Sequence, residues 1–260
     1  MARRGRRWLV ALAVVVVVLV GLFAVVDRVA VNMAEKRIAD QAASEMRNRG
    51  ITSDSKPRAS ISGFPFLTQV LSGTYQNVTI DVDKPHTGQV TLDHITLAAN
   101  QVHAPLDTIR SGRGRVTADT VQGTAAIGWD AVKQLVDTTP LRQVPGLDVS
   151  KLQITAKDNK LNLAAPITFA GLNLQLQATG TLAVTKGQVH LQLDDLRAAS
   201  GNGASLPVPP SFVDQYRSQL GVNIAVPKLP YSLVVNKVES NANGIVIIAT
   251  AADVVIAGQA

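Results

Sequence analysis

A run of nineteen residues without a charge, from Trp8 to Val26, constrains this chain more than any other feature. It is almost wholly Val, Leu and Ala, and Arg3, Arg4, Arg6 and Arg7 stand directly before it. A helix of that length rises roughly 28 Å at about 1.5 Å per residue, close to the hydrocarbon thickness of one bilayer. A cleavable signal peptide shares the basic start, but its apolar core runs for only about 7–15 residues and ends in a small-x-small site. Asp27-Arg28-Val29-Ala30 offers no clean site of that kind. An uncleaved signal anchor is therefore the first reading and a signal peptide the second. Both carry the rest of the chain out of the cytoplasm, and the positive-inside bias holds the arginines within it.

The body beyond that segment has little charge bias. The formal net charge is +6, but with the four leading arginines set aside, 21 Lys and Arg face 19 Asp and Glu. A nucleic-acid binder needs a basic stripe in its folded part, so nucleic acid is not expected as a partner. The chain has no cysteine. That excludes disulfides, thiolate metal sites, a Cys nucleophile and a lipidated Cys.

Helical spacing continues past the first charges. Val31, Ala34, Ile38, Ala42 and Met46 recur every three or four residues, charged residues fall largely between them, and Gly50 ends the segment. The spacing predicts an amphipathic helix over 29–49 that lies on a sheet, and its mixed-sign polar face argues against a helix lying on a membrane. Strand patterns follow. A short strand runs to Gly63, then one or two helical turns start at Pro65 and concentrate Phe64, Phe66, Leu67, Val70 and Leu71. Over 74–83, Val78, Ile80 and Val82 alternate with Thr79, Asp81 and Asp83, the mark of a half-buried strand.

Apolar parity then switches three times: from Val90/Leu92 to Ile95/Leu97, from Val116/Ala118 to Val121/Ala125, and from Ile167/Phe169 to Leu172/Leu174. A one-residue slip reverses the faces of a strand unless a bulge absorbs it, so three bulged or bent strands are expected. Such strands make a strongly curved antiparallel sheet. Trp129–Val136 reads as a short helix, Phe212/Tyr216/Leu220 as another, and Tyr231/Leu233/Val235 as a strand. Lys157-Asp-Asn-Lys160, Lys186-Gly187 and Asn243-Gly244 mark hairpins. The expected fold class is α+β, with residues 1–27 as anchor or signal peptide and 28–260 as a single β-rich domain.

An apolar segment running into a helix, Gly63-Phe-Pro-Phe-Leu67 with Gly73 six residues on, the strand Thr74 to Val82 and the Gly-Trp-Asp130 step from strand to helix together carry a resemblance. The sequence resembles the LmeA-like phospholipid-binding family of actinobacterial envelope proteins over roughly residues 27–256. That family is similar to tubular lipid-binding (TULIP) proteins, in which a curved sheet wraps a long helix and leaves an apolar groove. The resemblance implies a phospholipid or glycolipid ligand, no cofactor, and a place on the periplasmic side of the cytoplasmic membrane, anchored or secreted. It also implies support of lipid-anchored mannan (lipomannan) assembly, with an envelope glycosyltransferase as a candidate partner.

The physical requirement agrees with that picture. Each buried CH₂ is worth about 0.8 kcal/mol, so a sixteen-carbon chain needs on the order of 13 kcal/mol of compensation to leave a bilayer. Candidate groove residues are Ile38, Ala42 and Met46 on the helix and Phe64, Phe66, Leu67 and Leu71 after it. Val78, Ile80, Leu172, Leu174 and Leu176 are the candidates on strands. For each of them, ordinary core packing is the competing reading.

Other chemistry finds little support. The histidines at 86, 94, 103 and 190 lack metal-like spacing, and no G-x-S-x-G, P-loop or H-E-x-x-H occurs. Asp81/Asp83 and Asp194/Asp195 read as solvent-facing pairs. Arg110-Ser-Gly-Arg-Gly-Arg115 has two readings: Arg110, Arg113 and Arg115 touching a lipid phosphate or anionic headgroups, or a solvated turn. The expected function is non-enzymatic binding or transfer of an envelope lipid outside the cytoplasmic membrane. The alternative is a membrane-tethered adaptor that binds an envelope-synthesis enzyme.

Overall fold

The computed structural model describes residues 3–88, 90–111, 113–136, 145–169, 171–200, 205–206, 223–224 and 229–257. The expected helix at 212–220 lies outside them. Helix α1 (Arg3–Asn48) joins the apolar run to the amphipathic segment as one unbroken helix of 46 residues, about 69 Å long. It is the one helix among the described residues long and apolar enough to cross a membrane. Its side chains from Leu12 to Val26 are nearly all exposed, whereas Val31 and Ala43 are buried. Gly50, in the left-handed conformation, ends it.

Beyond α1 come β1 (Ile51–Thr52), β2 (Arg58–Ser62), α2 (Phe66–Ser72) and β3 (Thr74–Asp83). Next are β4 (His86–Thr87), β5 (Val90–Thr91), β6 (His94–His103), α3 (Leu106–Ser111), β7 (Val116–Gly128) and α4 (Trp129–Val136). The second half holds β8 (Gln153–Lys157), β9 (Lys160–Phe169), β10 (Leu172–Thr185) and β11 (Gln188–Ser200). The short β12 (Ser205–Leu206) and β13 (Asn223–Ile224), then β14 (Val234–Asn241) and β15 (Gly244–Ala257), complete it. One six-stranded antiparallel sheet has the order β14-β15-β7-β6-β3-β2. A second runs β12-β11-β10-β9-β8 with β13 beside β11, and β1-β4-β5 form a small third sheet. This is an α+β fold, a long N-terminal helix with antiparallel sheets, consistent with a TULIP-like arrangement.

Helix α1 lies along the first sheet at β2. Glu35 Oε1 accepts from the Ile61 backbone N–H at 2.9 Å, and Val31, Ala34 and Ile38 join Ile61, Phe66, Tyr75 and Val102 in the main core. The hairpin between β10 and β11 reaches the same core through Leu182, Val184 and the fully buried Val189. A second cluster of Ile127, Val132 and Ile245 with Ile154, Leu152 and Leu163 joins the two large sheets at the other end. Asn159 Oδ1 accepts from Ser240 N–H at 2.9 Å to link them again.

Of the three parity switches, only the one in β7 is a feature of a continuous strand. Ala118 and Val121 are both buried while Asp119 and Thr120 between them are exposed. The same step recurs at matching register in β3, β6 and β15. Tyr75, Val102, Ala118 and Val254 make one inward row, and Val78, Ala99, Val121 and Ala251 make the next. Pairing skips Gln76–Gln101 and Asp119–Asp253 between those rows, and Gln101 and Asp253 take positive φ there. Each strand spends one extra outward residue, so four neighbours change face together without losing register. The switch near Val90 is instead a break between β5 and β6 around Asp93, and the one after Phe169 is the turn between β9 and β10. Both corrections have one cause: a strand break, a chain reversal and a bulge each shift parity. Tyr231 is likewise in no strand; Pro230–Ser232 form a 3₁₀ turn and β14 starts at Val234.

Candidate functional site

An apolar pocket opens on the inner face of the second large sheet. Leu163, Ala164 and Ala165 of β9, Leu176 and Ala178 of β10, and Leu191, Leu193 and Leu196 of β11 line it. Leu147, Val149 and Leu152, just before β8, close one side. No lining residue has a polar side chain. Two devices shape it. The alanines leave hollow what leucines at those positions would fill. A bulge at Asp194, opposite Thr179/Gly180, keeps Leu193 and Leu196 on one face although they are three apart. Gly180 fits that bulge because a Cβ there would stand 2.6 Å from the Gln192 carbonyl oxygen. Water entering these walls would find no side-chain hydrogen-bond partner, so they favour an apolar occupant. The cavity volume is about 50 Å³.

The candidate groove residues are dispersed. Leu176 alone lines the pocket, with Leu174 half-buried near it on β10 and Leu172 exposed at the strand's start. Phe66 is buried in the main core against Tyr75, with ring centres 6.1 Å apart, and burial pushes the Tyr75 phenol up. Ile38 and Val78 pack around the same core, and Leu67, Ile80, Ala42 and Met46 are half-buried. Phe64 and Leu71 stand out in solvent. The pocket went unread because its lining is spread over three strands and a connecting segment. One signal was available: Leu191/Leu193 and Leu196/Ala198 differ in parity across Asp194-Asp195, whose exposure agrees with a solvent-facing pair.

A second site forms where the apolar part of α1 ends. Asp27, fully buried, accepts through Oδ1 from Leu67 N–H at 2.8 Å, while its Oδ2 has no partner among the described residues. Leu67 is the second residue of α2, whose own N-cap is Pro65, a residue with no side-chain acceptor to offer. Asp27 thus caps α2 from another helix. Next to it, the Arg28 guanidinium carbon lies 5.3 Å from the centre of the Phe64 ring. Gly73, left-handed at φ +70°, ends α2, and its carbonyl accepts from Ala104 N–H at 2.8 Å, which sets α3 beside α2. Arg110 lies in the last turn of α3, a helix not expected from the sequence; Arg113 and Arg115 follow it outside any helix, and all three are exposed.

The polar groups of the first sheet's outer face satisfy one another. His94 Nδ1 lies 2.8 Å from Asp83 and its Nε2 3.2 Å from Asp81, to which Thr96 Oγ1 also donates. The bond from His94, then that from Arg58, holds the Asp83 carboxyl below its usual range. His103 pairs with Asp119 at 2.9 Å, and His86 with Thr91. Among the described residues no group of three His, Asp or Glu is arranged to hold a metal.

A membrane-length helix running onto antiparallel sheets, one of which carries an apolar pocket, defines the class: α+β proteins consistent with a TULIP-like fold. Within it, the family model described as LmeA-like phospholipid-binding matches residues 25–250, and this chain belongs to that family. No match is found among curated proteins or among solved structures.

Proposed function

We propose that this chain binds phospholipid without catalysing a reaction, holding acyl chain against the pocket of the second sheet while α1 keeps the body at the outer face of the cytoplasmic membrane. The apolar lining of that pocket, in a chain of a phospholipid-binding family, is the observation that carries this reading. The bulge at Asp194 in β11 favours a curved second sheet able to follow a long apolar ligand. About 50 Å³ is well below the roughly 150 Å³ of an apolar cavity that admits benzene, so a full acyl chain enters by spreading the leucines of β10 and β11. Support of envelope glycolipid assembly, by transfer or by presenting lipid to a glycosyltransferase, is the biological role that fits. Native mass spectrometry of the purified body with Asp27 retained (residues 27–260) tests the proposal. The body should retain near-stoichiometric lipid, and Ala178→Trp should expel it while leaving the circular dichroism spectrum unchanged. A lipid-free body, or retention undiminished by Ala178→Trp, would reject the pocket and promote the adaptor reading.

A further inference from the structure

Four large apolar side chains are exposed at one end of the first sheet: Leu71 on α2, Leu106 and Ile109 on α3, and Phe64 two residues before α2. Phe64 is 58% exposed, Leu71 80%, Leu106 36% and Ile109 50%. Gly73 holds α2 and α3 so close that a Cβ there would stand 3.1 Å from Pro105 Cα. Cations accompany the patch: Arg28 lies over Phe64, and Arg110, Arg113 and Arg115 are exposed at the end of α3 and just after it. Asp107 is the one acid among residues 64–73 and 104–115. The bond from Leu67 to Asp27 fixes the height of this patch. Asp27 is the first residue after the charge-free run, so α2 docks about 1.5 Å past the end of the apolar span. The headgroup layer adds roughly 5–7 Å to each side of the hydrocarbon core, which is the depth at which α2 then lies.

We infer that α2 and α3 form a bilayer-contact face. Phe64, Leu71, Leu106 and Ile109 enter the headgroup–acyl boundary, and Arg110, Arg113 and Arg115 meet anionic phosphates. This rests on the reading of Trp8–Val26 as a membrane span. Apolar side chains ringed by cations are the composition that binds such a boundary, with basic residues each adding attraction to an anionic surface. The body is thereby seated on the membrane at two places, the span and this face.

Because the chain has no cysteine, single substitutions carry site-specific fluorophores. Full-length protein with Leu71→Cys, Ile109→Cys, Val17→Cys or Asp130→Cys is labelled and placed in nanodiscs of phosphatidylcholine with or without phosphatidylglycerol. Asp130, in α4 at the far end of β7, is the water-exposed control. Labels at 71 and 109 should be quenched by headgroup-proximal spin-labelled lipid and shielded from aqueous iodide several-fold relative to 130. Phosphatidylglycerol should increase the shielding at 109, and Arg110→Gln/Arg113→Gln/Arg115→Gln should abolish that increase. Iodide quenching at 71 and 109 equal to that at 130, with Val17 still quenched by lipid, would overturn the contact face and leave the span standing. Shielding from iodide without lipid quenching would overturn it in favour of a protein partner. Iodide access at Val17 would overturn the span and the contact face with it.

Discussion

The bond between Asp27 and Leu67 offers a sharp test of how the body is joined to its helix. Asp27→Ala leaves the Leu67 N–H without an acceptor at a site closed to water. An unmade bond of that kind costs about 1–3 kcal/mol, and loss of a helix N-cap about 0.5–2 kcal/mol. Removing a buried carboxyl whose Oδ2 has no partner among the described residues offsets part of this. A net loss of about 1.5 kcal/mol, confined to α2, is therefore expected. If the first amides of α2 exchange by local opening, that loss speeds their hydrogen exchange roughly tenfold. Asp27→Asn keeps the accepting oxygen and should preserve most of the protection. The assay is hydrogen–deuterium exchange of the full chain in detergent, read over residues 64–73, with β7 as internal reference. Equal protection of Leu67 in wild type and Asp27→Ala would refute the cap. Equal loss in Asn and Ala would show that charge, not the acceptor, holds α2.

Three further outcomes follow from the packing and electrostatics. Phe66→Ala empties a core position facing Tyr75 and should cost about 3–5 kcal/mol in denaturant unfolding, whereas Phe64→Ala should cost far less. Gly180→Ala drives a Cβ toward the Gln192 carbonyl and should lower the urea midpoint, by about 1–3 kcal/mol of strain. The depressed Asp83 carboxyl gives stability that is present above its unfolded pKa of about 3.9 and is lost as pH falls through its lower folded value. An acid titration followed by circular dichroism should therefore fall less steeply below about pH 4 in His94→Ala than in wild type.

Local signals in the sequence reached some parts of this fold and missed others. Trp129–Val136, the turns at 158–159 and 186–187, and the helix behind Pro65 announce themselves through spacing or turn residues close in the chain; Asn243-Gly244 announces its hairpin, but the turn falls one residue earlier, at Ala242-Asn243, with Gly244 paired to Asn241. Helix α3 has six residues, too few for a period to show. The pocket depends on Leu163, Ala178 and Leu196 lying in register, which is a property of strand pairing and not of any one strand. Asp27 looked like the mere end of an apolar run, because its partner is forty residues away. Parity was informative about bends only where the strand continued; Asp93 and Gly171 produce the same shift by ending one.

The unbroken course of α1 has a mechanical consequence. With no hinge between Val26 and Val31, the body inherits both the phase and the height of the apolar segment. One residue inserted after Gly21 would turn the body by about 100° around the helix axis and raise it by about 1.5 Å. Seven inserted residues would restore nearly the original phase and raise it by roughly 10 Å. A series of such insertions therefore separates facing from distance: a function that needs the α2–α3 end turned toward the membrane should fail and recover with helical periodicity, whereas one limited by reach should decline steadily.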